Sequence, residues 1–135
     1  MPLTSSMEDY LEAVLVLLQQ KGYARCVDVA ELLGVTKPSV SRAVKELAKK
    51  KCLLKKDDGT ISLTEQGQQI AQQTYEKHQF FAKQLIKAGV PHDIAAQDAC
   101  KLEHAISEIS FNKMKEVVGV NGREVIPSDK QSLWI

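Results

Sequence analysis

Apolar positions recur at helical spacing through most of the chain, interrupted once by a short alternating stretch, and the intervals predict six helices and one hairpin. Over Ser6–Gln20 the stripe is Tyr10, Leu11, Val14, Leu17 and Leu18, with Ser6 as the cap ahead of acidic Glu8 and Asp9 and Gly22 at the end. Val27–Leu33 is a short helix, and Gly34-Val35-Thr36 is a turn whose glycine supplies the freedom a sharp corner needs. Thr36 then caps a helix that tolerates Pro38 in its first turn and buries Val40, Ala43, Val44 and Leu47. Two short β-prone runs, Cys52–Lys56 and Thr60–Thr64, flank Asp57-Asp58-Gly59, a hairpin signal. From Thr64 a long helical segment runs to about Ala88, carrying Ile70, Ala71, Tyr75 and His78. Phe80, Phe81, Leu85 and Ile86 follow as core or subunit interface. Gly89-Val90-Pro91 breaks the chain before an amphipathic helix over Pro91–Ser107, and Ser107 or Ser110 caps a last helix through Met114 and Val118. Residues 119–135, with Asn121-Gly122 and Pro127, read as irregular.

Helix, glycine turn, helix and hairpin in that order spell a winged helix-turn-helix. The outward face of its second helix offers Lys37, Ser39, Ser41, Arg42 and Lys45, with Thr36 and Pro38 at its start. Short hydroxyls among cations suit a helix lying in a major groove. Lys55 and Lys56 on the wing are placed for phosphate, adding salt-sensitive affinity without reading sequence. The competing structure is a plain helical hairpin with a solvated face.

Charge strengthens the DNA reading. The net charge is only +1, yet residues 21–56 hold ten basic against three acidic side chains, so this third of the chain is +7 and the remainder −6. A basic module is set on an acidic body. At 135 residues, 44% hydrophobic and 26% charged, the chain suits one good core or two small lobes. The longest apolar run, Ala13–Leu18, falls far short of the roughly 20 residues a membrane span needs. The opening Met-Pro-Leu-Thr-Ser-Ser lacks signal-peptide blocks, and three cysteines without framework spacing suit reduced thiols. A cytoplasmic protein is expected. The predicted fold is mainly α with a small β-wing, divided into a winged helix-turn-helix over residues 1–64, a linker helix with a helical lobe over 65–120, and an irregular tail over 121–135.

Cys100-Lys101-Leu102-Glu103-His104 carries the other chemistry. On a helix, residues three and four apart share a face, so Cys100, Glu103 and His104 present a sulfur, a carboxylate and an imidazole to one point. Taken alone, a small buried thiol beside a solvated Glu-His pair is the plainer reading. Asp9 and Glu12 likewise share an edge of the first helix, where favourable dipole chemistry is explanation enough. Cys26 and Cys52 read as structural thiols and His92 as surface.

Together these residues resemble the metal-dependent repressors of the diphtheria toxin repressor and manganese transport regulator type. The resemblance covers about Met7–Val118 and rests on Met7-Glu-Asp-Tyr-Leu-Glu-Ala13, on Val27-Asp-Val-Ala-Glu-Leu-Leu-Gly-Val-Thr-Lys-Pro-Ser-Val-Ser41, on Leu63-Thr-Glu-Gln-Gly67, on His78 and on Asp98-Ala-Cys-Lys-Leu-Glu-His104. It implies a homodimer with a helical dimerisation lobe that binds operator DNA when loaded with Fe(II), Mn(II) or a related ion and represses metal-uptake genes. It also implies that Asp9, Glu12, His78, Cys100, Glu103 and His104 are the metal ligands. Asp9 resembles the manganese branch, where the iron branch has Met; Cys100 resembles the iron branch, where the manganese branch has Glu. Ala82 and Ala96 stand where the iron branch has an acid and a His for a second site. A thiolate favours Fe(II), Co(II), Zn(II) or Ni(II) over Mn(II), so Fe(II) is the expected ion, then Mn(II).

Ligands beside the DNA module and in the helical lobe would restrict hinge motion and set the spacing of paired recognition helices. Two other readings stay open: a winged-helix regulator sensing a small ligand or oxidation at Cys100, and a metal hydrolase with Glu103 as base. The second lacks a His-Glu-x-x-His pattern and an open coordination position.

Overall fold

The structure is a computed structural model that describes residues 3–119; the tail expected over 121–135 lies outside the described residues. The chain divides into two compact units, Met1–Thr74 and Tyr75–Ile135.

In the first unit, helix α1 spans Ser5–Lys21. Its cap is Thr4, not Ser6: Thr4 is extended and its side chain accepts from the Met7 N–H at 3.2 Å. Ser6 already lies inside the first turn, where a hydroxyl no longer faces the orphan amides. Helices α2 (Cys26–Leu33) and α3 (Lys37–Lys49) flank the predicted turn, with Gly34 at φ 70°. A side chain there would be held in the left-handed region that only glycine enters freely. Thr36 caps α3 through the Ser39 N–H at 3.3 Å. Strands β1 (Leu53–Lys55) and β2 (Ile61–Leu63) pair antiparallel with Leu53 opposite Leu63 and Lys55 opposite Ile61.

Helix α1 packs against α2, α3 and β2, and α3 against β1. The side chains they bury are almost all aliphatic: Leu11, Val14, Val16, Val29, Val40, Leu47, Leu53 and Ile61 are each at most 1% exposed. Helix α4 (Glu65–Lys87) begins under the hairpin. Thr64 donates its hydroxyl proton to the Lys51 carbonyl at 2.7 Å and accepts from the Gly67 N–H at 3.0 Å. A Cβ at position 67 would overlap the Cys52 carbonyl, so glycine is what lets α4 start this close to the wing.

The second unit takes the rest of α4 with α5 (His92–Leu102) and α6 (Glu108–Gly119). Its core is small: Phe81, Ala82, Ala99 and Phe111, edged by Phe80, Ile86 and Ile106. Phe80 meets Phe111 edge-on at 5.4 Å. Two ion pairs tie α4 to α6, Lys77 to Glu108 at 3.0 Å and Glu76 to Lys115 at 2.8 Å, and both lysines also lie near the Phe111 ring.

The helix expected to reach Ser107 stops at Leu102. The Glu103 N–H still reaches back four residues to Ala99 at 2.9 Å, but Ala105 reaches back only three, to Leu102 at 3.1 Å. Ile106 keeps the apolar period, which is why the pattern ran on. Ser107 ends it, since its hydroxyl accepts from the Ser110 N–H at 3.1 Å and opens α6 instead. Among the described residues no helix is long and apolar enough to cross a membrane.

Candidate metal centre and nucleic-acid interface

The second unit brings three of the candidate ligands together. His78 comes from α4, Cys100 from the last turn of α5 and Glu103 from the residue that caps it. His78 Nδ1 and Glu103 Oε1 are 2.9 Å apart, and Cys100 Sγ is 3.6 Å from the same Nδ1. One donor atom from each side chain lies within 4.8 Å of the other two. His78 is fully buried and Glu103 is 2% exposed, with Cys100 half-buried. Tyr75 stacks beside the imidazole, centroids 6.4 Å apart.

The turn that ends α5 matters here. Glu103 is still bonded to Ala99 while the backbone tightens after it, and Glu103 is buried with half-buried His104 following it. The other carboxylate oxygen, Glu103 Oε2, is buried and accepts no hydrogen bond among the described residues; His104 Nε2 stands 3.8 Å from it. A buried carboxylate oxygen left without a hydrogen bond is costly. An imidazole, a carboxylate with an oxygen to spare and a thiol make a donor set of nitrogen, oxygen and sulfur that fits a divalent transition ion.

Asp9 and Glu12 belong to the first unit, on α1. Glu12 is fully buried and Asp9 half-buried, and a fully buried Glu12 does not suit a solvated partner of the helix dipole. Exposed His92 lies at the start of α5. Cys52 is buried under the wing, which pushes its thiol pKa up by desolvation.

On α3 the buried stripe is Val40, Val44 and Leu47. Thr36, Lys37, Pro38, Arg42 and Lys45 are exposed, and Ser39 and Ser41 are half-buried. The Thr36 and Ser39 hydroxyls are 2.9 Å apart, and Arg42 donates to Ser39 Oγ at 3.4 Å. Lys55 and Lys56 are exposed on the hairpin. Arg25 figured in the sequence only as a charge, yet its guanidinium donates to the Asp58 carbonyl at the hairpin turn at 2.9 Å. Thirty-three residues separate that pair, so no local pattern announces it.

A winged helix-turn-helix with a cationic, hydroxyl-bearing outer helix, in one chain with buried nitrogen and oxygen donors and a half-buried sulfur beside them, defines a DNA-binding regulator equipped for a metal ion. Comparison with known proteins agrees: residues 2–57 match the iron dependent repressor N-terminal DNA binding domain and residues 64–124 the metal binding and dimerisation domain of the same family, so the chain belongs to the iron dependent repressor family. It is similar to the HTH-type transcriptional regulator MntR of Geobacillus kaustophilus, 33% identical over 115 residues, which are 85% of this chain and 82% of that protein. The transcriptional regulator MntR of Escherichia coli O157:H7 is 36% identical over 109 residues, 81% of this chain and 70% of that one. Among solved structures, the manganese regulator SloR superposes with TM-score 0.77 at 28% identity over 93% of this chain and 58% of its own. T. acidophilum IdeR gives TM-score 0.73 at 26% identity over 96% of this chain and 65% of its own. The chain thus spans less than two thirds of each of those two structures.

Membership makes the protein a metal-dependent transcriptional repressor rather than an enzyme, with operator DNA, a divalent ion and a second copy of itself as partners. The hydrolase and small-ligand readings are not favoured.

Proposed function

We propose that His78, Cys100 and Glu103 hold the activating ion from the second unit, and that Asp9, Glu12 and His104 complete the ligand set. The observation that carries this is the buried His78–Glu103 pair with Cys100 beside it and one Glu103 oxygen lacking a hydrogen bond. The part played by Asp9, Glu12 and His104 rests on their positions in the sequence. DNA contact falls to Thr36, Lys37, Pro38, Ser39, Ser41, Arg42 and Lys45 on α3 and to Lys55 and Lys56 on the wing. Residues 1–64 then form the DNA-binding module and residues 65–120 the linker, metal-binding and dimerisation part, with metal-uptake genes as the controlled targets.

A bound ion supplies a fixed positive charge among these donors. Bound there, it would be held by a carboxylate oxygen of Glu103, a ring nitrogen of His78 and the Cys100 sulfur as thiolate, and it would offset the charge of the buried carboxylate. If the ion favours the conformation that binds DNA, each ligand tightens the other by the same factor, typically about 1–3 kcal/mol. Fe(II) is favoured over Mn(II) because of the Cys100 sulfur. The relatives named for manganese pull the other way, and Asp9 supplies an oxygen donor that either ion accepts.

The test is an anaerobic competition among Fe(II), Mn(II) and Zn(II), read as binding to duplexes enriched from a random library by the metal-loaded chain. Binding that requires metal, with Fe(II) acting at lower concentration than Mn(II), is expected. Equal binding with and without metal sinks the reading. Cys100→Ser is expected to shift the preference toward Mn(II), and an unchanged order of ions removes the thiolate argument.

A further inference from the structure

We propose that Arg25 is a positioning residue for the wing, holding the hairpin turn so that Lys55 and Lys56 stand ready for phosphate. This rests on the DNA-binding reading above and adds to it a residue from outside the wing and the recognition helix.

A hairpin of three residue pairs has little stability of its own. Its turn is exposed, from Lys55 to Asp58, with no apolar side chain to anchor it. Internal bonds shape the turn: the Lys56 N–H donates to the Thr60 carbonyl at 2.8 Å, the Gly59 N–H to the Lys56 carbonyl at 3.0 Å, and Asp58 Oδ1 accepts from the Thr60 N–H at 3.0 Å. These fix the shape of the turn but not where it stands.

The segment before α2 does that. The Ile61 N–H donates to the Ala24 carbonyl at 2.8 Å, and Arg25 pairs with Thr60 in an antiparallel bridge, so Ala24-Arg25 acts as a third edge of the sheet. From that edge the Arg25 side chain reaches over the turn to the Asp58 carbonyl at 2.9 Å. Its Nη1 lies 3.2 Å from where a Cβ at position 59 would sit, so Gly59, at φ 89°, leaves the space the guanidinium occupies. At its other end Arg25 is locked into the start of α2, since its N–H donates to Asp28 Oδ2 at 3.2 Å and Lys21 holds Asp28 Oδ1 at 3.2 Å. One side chain therefore ties the turn of the wing to the base of the helix-turn-helix. The planar guanidinium holds its donor in a fixed direction, which the freely rotating ammonium of a lysine does not.

The alternative is that Arg25 touches phosphate itself, and a mutant cycle separates the two. The probe is a fixed mixed-sequence duplex, since wing contacts to phosphate are independent of sequence, titrated with the full chain loaded with Mn(II). Arg25→Ala and Arg25→Lys are each expected to weaken binding about fivefold, the factor one hydrogen bond is worth. Neither is expected to cost anything further in a chain that already carries Lys55→Ala and Lys56→Ala. Binding retained in Arg25→Lys, or an additive loss in the triple variant, marks a direct phosphate contact and overturns the proposal. Hydrogen exchange on the free protein gives a readout without DNA: the Lys56 and Gly59 amides are expected to exchange faster in both Arg25 variants, and unchanged rates also overturn it. If Arg25→Ala fails to fold, Arg25→Lys carries both measurements. Failure of the DNA-binding reading is separately visible, because the unsubstituted chain then binds no duplex.

Discussion

The two units put their chemistry on opposite sides of their surfaces. The first buries mainly aliphatic side chains, with Glu12 among them, and shows cations and hydroxyls outside beside a few apolar side chains such as Leu54, so its core serves stability and its exterior serves DNA. The second has a core of two phenylalanines and two alanines, buries His78 and Glu103, and exposes Ile94, Leu102, Ile109, Met114 and Val117, with Ile109 76% and Val117 71% exposed. Polar groups inside and apolar groups outside are both unfavourable for a lone unit. The second unit matches a metal binding and dimerisation domain, and on the reading proposed above an ion would satisfy the buried donors and a second chain would cover apolar side chains. The first unit has the larger aliphatic core, and the second has the smaller core and the more exposed apolar side chains.

The sharpest contrast comes from removing one buried side chain from each unit. His78→Ala strips the buried Glu103 carboxylate of its 2.9 Å hydrogen-bond partner, and leaving a buried acceptor unsatisfied costs roughly 1–3 kcal/mol, more when it is charged. It should also abolish the response of DNA binding to metal. Leu47→Ala, in the first unit's core, should cost roughly 2–5 kcal/mol as a cavity while leaving metal affinity unchanged. Urea denaturation and metal titration of both variants decide the matter. A His78→Ala chain that is as stable as the parent and still responds to metal would erase the distinction between the units.

Metal should then stabilise the folded chain as any native-state ligand does. At a free concentration a hundred times its dissociation constant, an ion adds about 2.7 kcal/mol. Thermal denaturation with Mn(II) and with chelator measures this, and hydrogen exchange locates it. Added protection is expected at the Glu103 and Ala105 amides, in the turn that ends α5, and little in α3. Uniform protection across α3 and α5 would mean that the second unit is no more dependent on its ligand than the first.

How much of this the chain announced also differs between the units. The winged module was legible because its signals are local: the Gly34 turn, the Thr36 cap, the helically spaced stripe of α3 and the Asp57-Asp58-Gly59 hairpin each act within a few residues. The cap of α1 was misplaced by two positions, since Thr4, Ser5 and Ser6 all carry capping hydroxyls and only the backbone geometry selects among them. In the second unit, Cys100, Glu103 and His104 were legible as a spacing. That spacing assumed a helix continuing to Ser107, whereas the helix ends at Leu102, and His104 Nε2 still stands 3.8 Å from Glu103 Oε2. Periodicity could not show that His78 faces Glu103, because the partners lie 25 residues apart on different elements. The same limit hid Arg25.

A smaller effect tests how tightly the first unit is joined at the base of its wing. Gly67→Ala places a methyl group on the Cys52 carbonyl, and relieving such an overlap typically costs about 1–3 kcal/mol. Gln68→Ala, on the exposed side of the same helix turn, should stay within about 0.5 kcal/mol of the parent. Urea denaturation of the two side by side measures the difference, and a Gly67→Ala chain as stable as Gln68→Ala would show that α4 shifts away from the hairpin freely.

The smallest effect concerns pH and belongs to the first unit alone. The Thr60 hydroxyl and amide, both bonded to Asp58, hold that carboxyl below its ordinary value of 3.8. A carboxyl whose pKa is lowered on folding contributes its stability above the unfolded value and loses it as pH falls through the folded one. Protection of the Thr60 amide should therefore be full at neutral pH and fall only in acid, below the ordinary carboxylate range. Asp58→Asn should keep a weaker bond to the same amide and flatten that dependence. Asp58 is fully exposed, so solvent screens the interaction and the global stability should barely change. If Asp58→Asn instead unfolds the wing, the carboxylate holds up the hairpin and the exterior of the first unit contributes to its stability as well as to DNA binding.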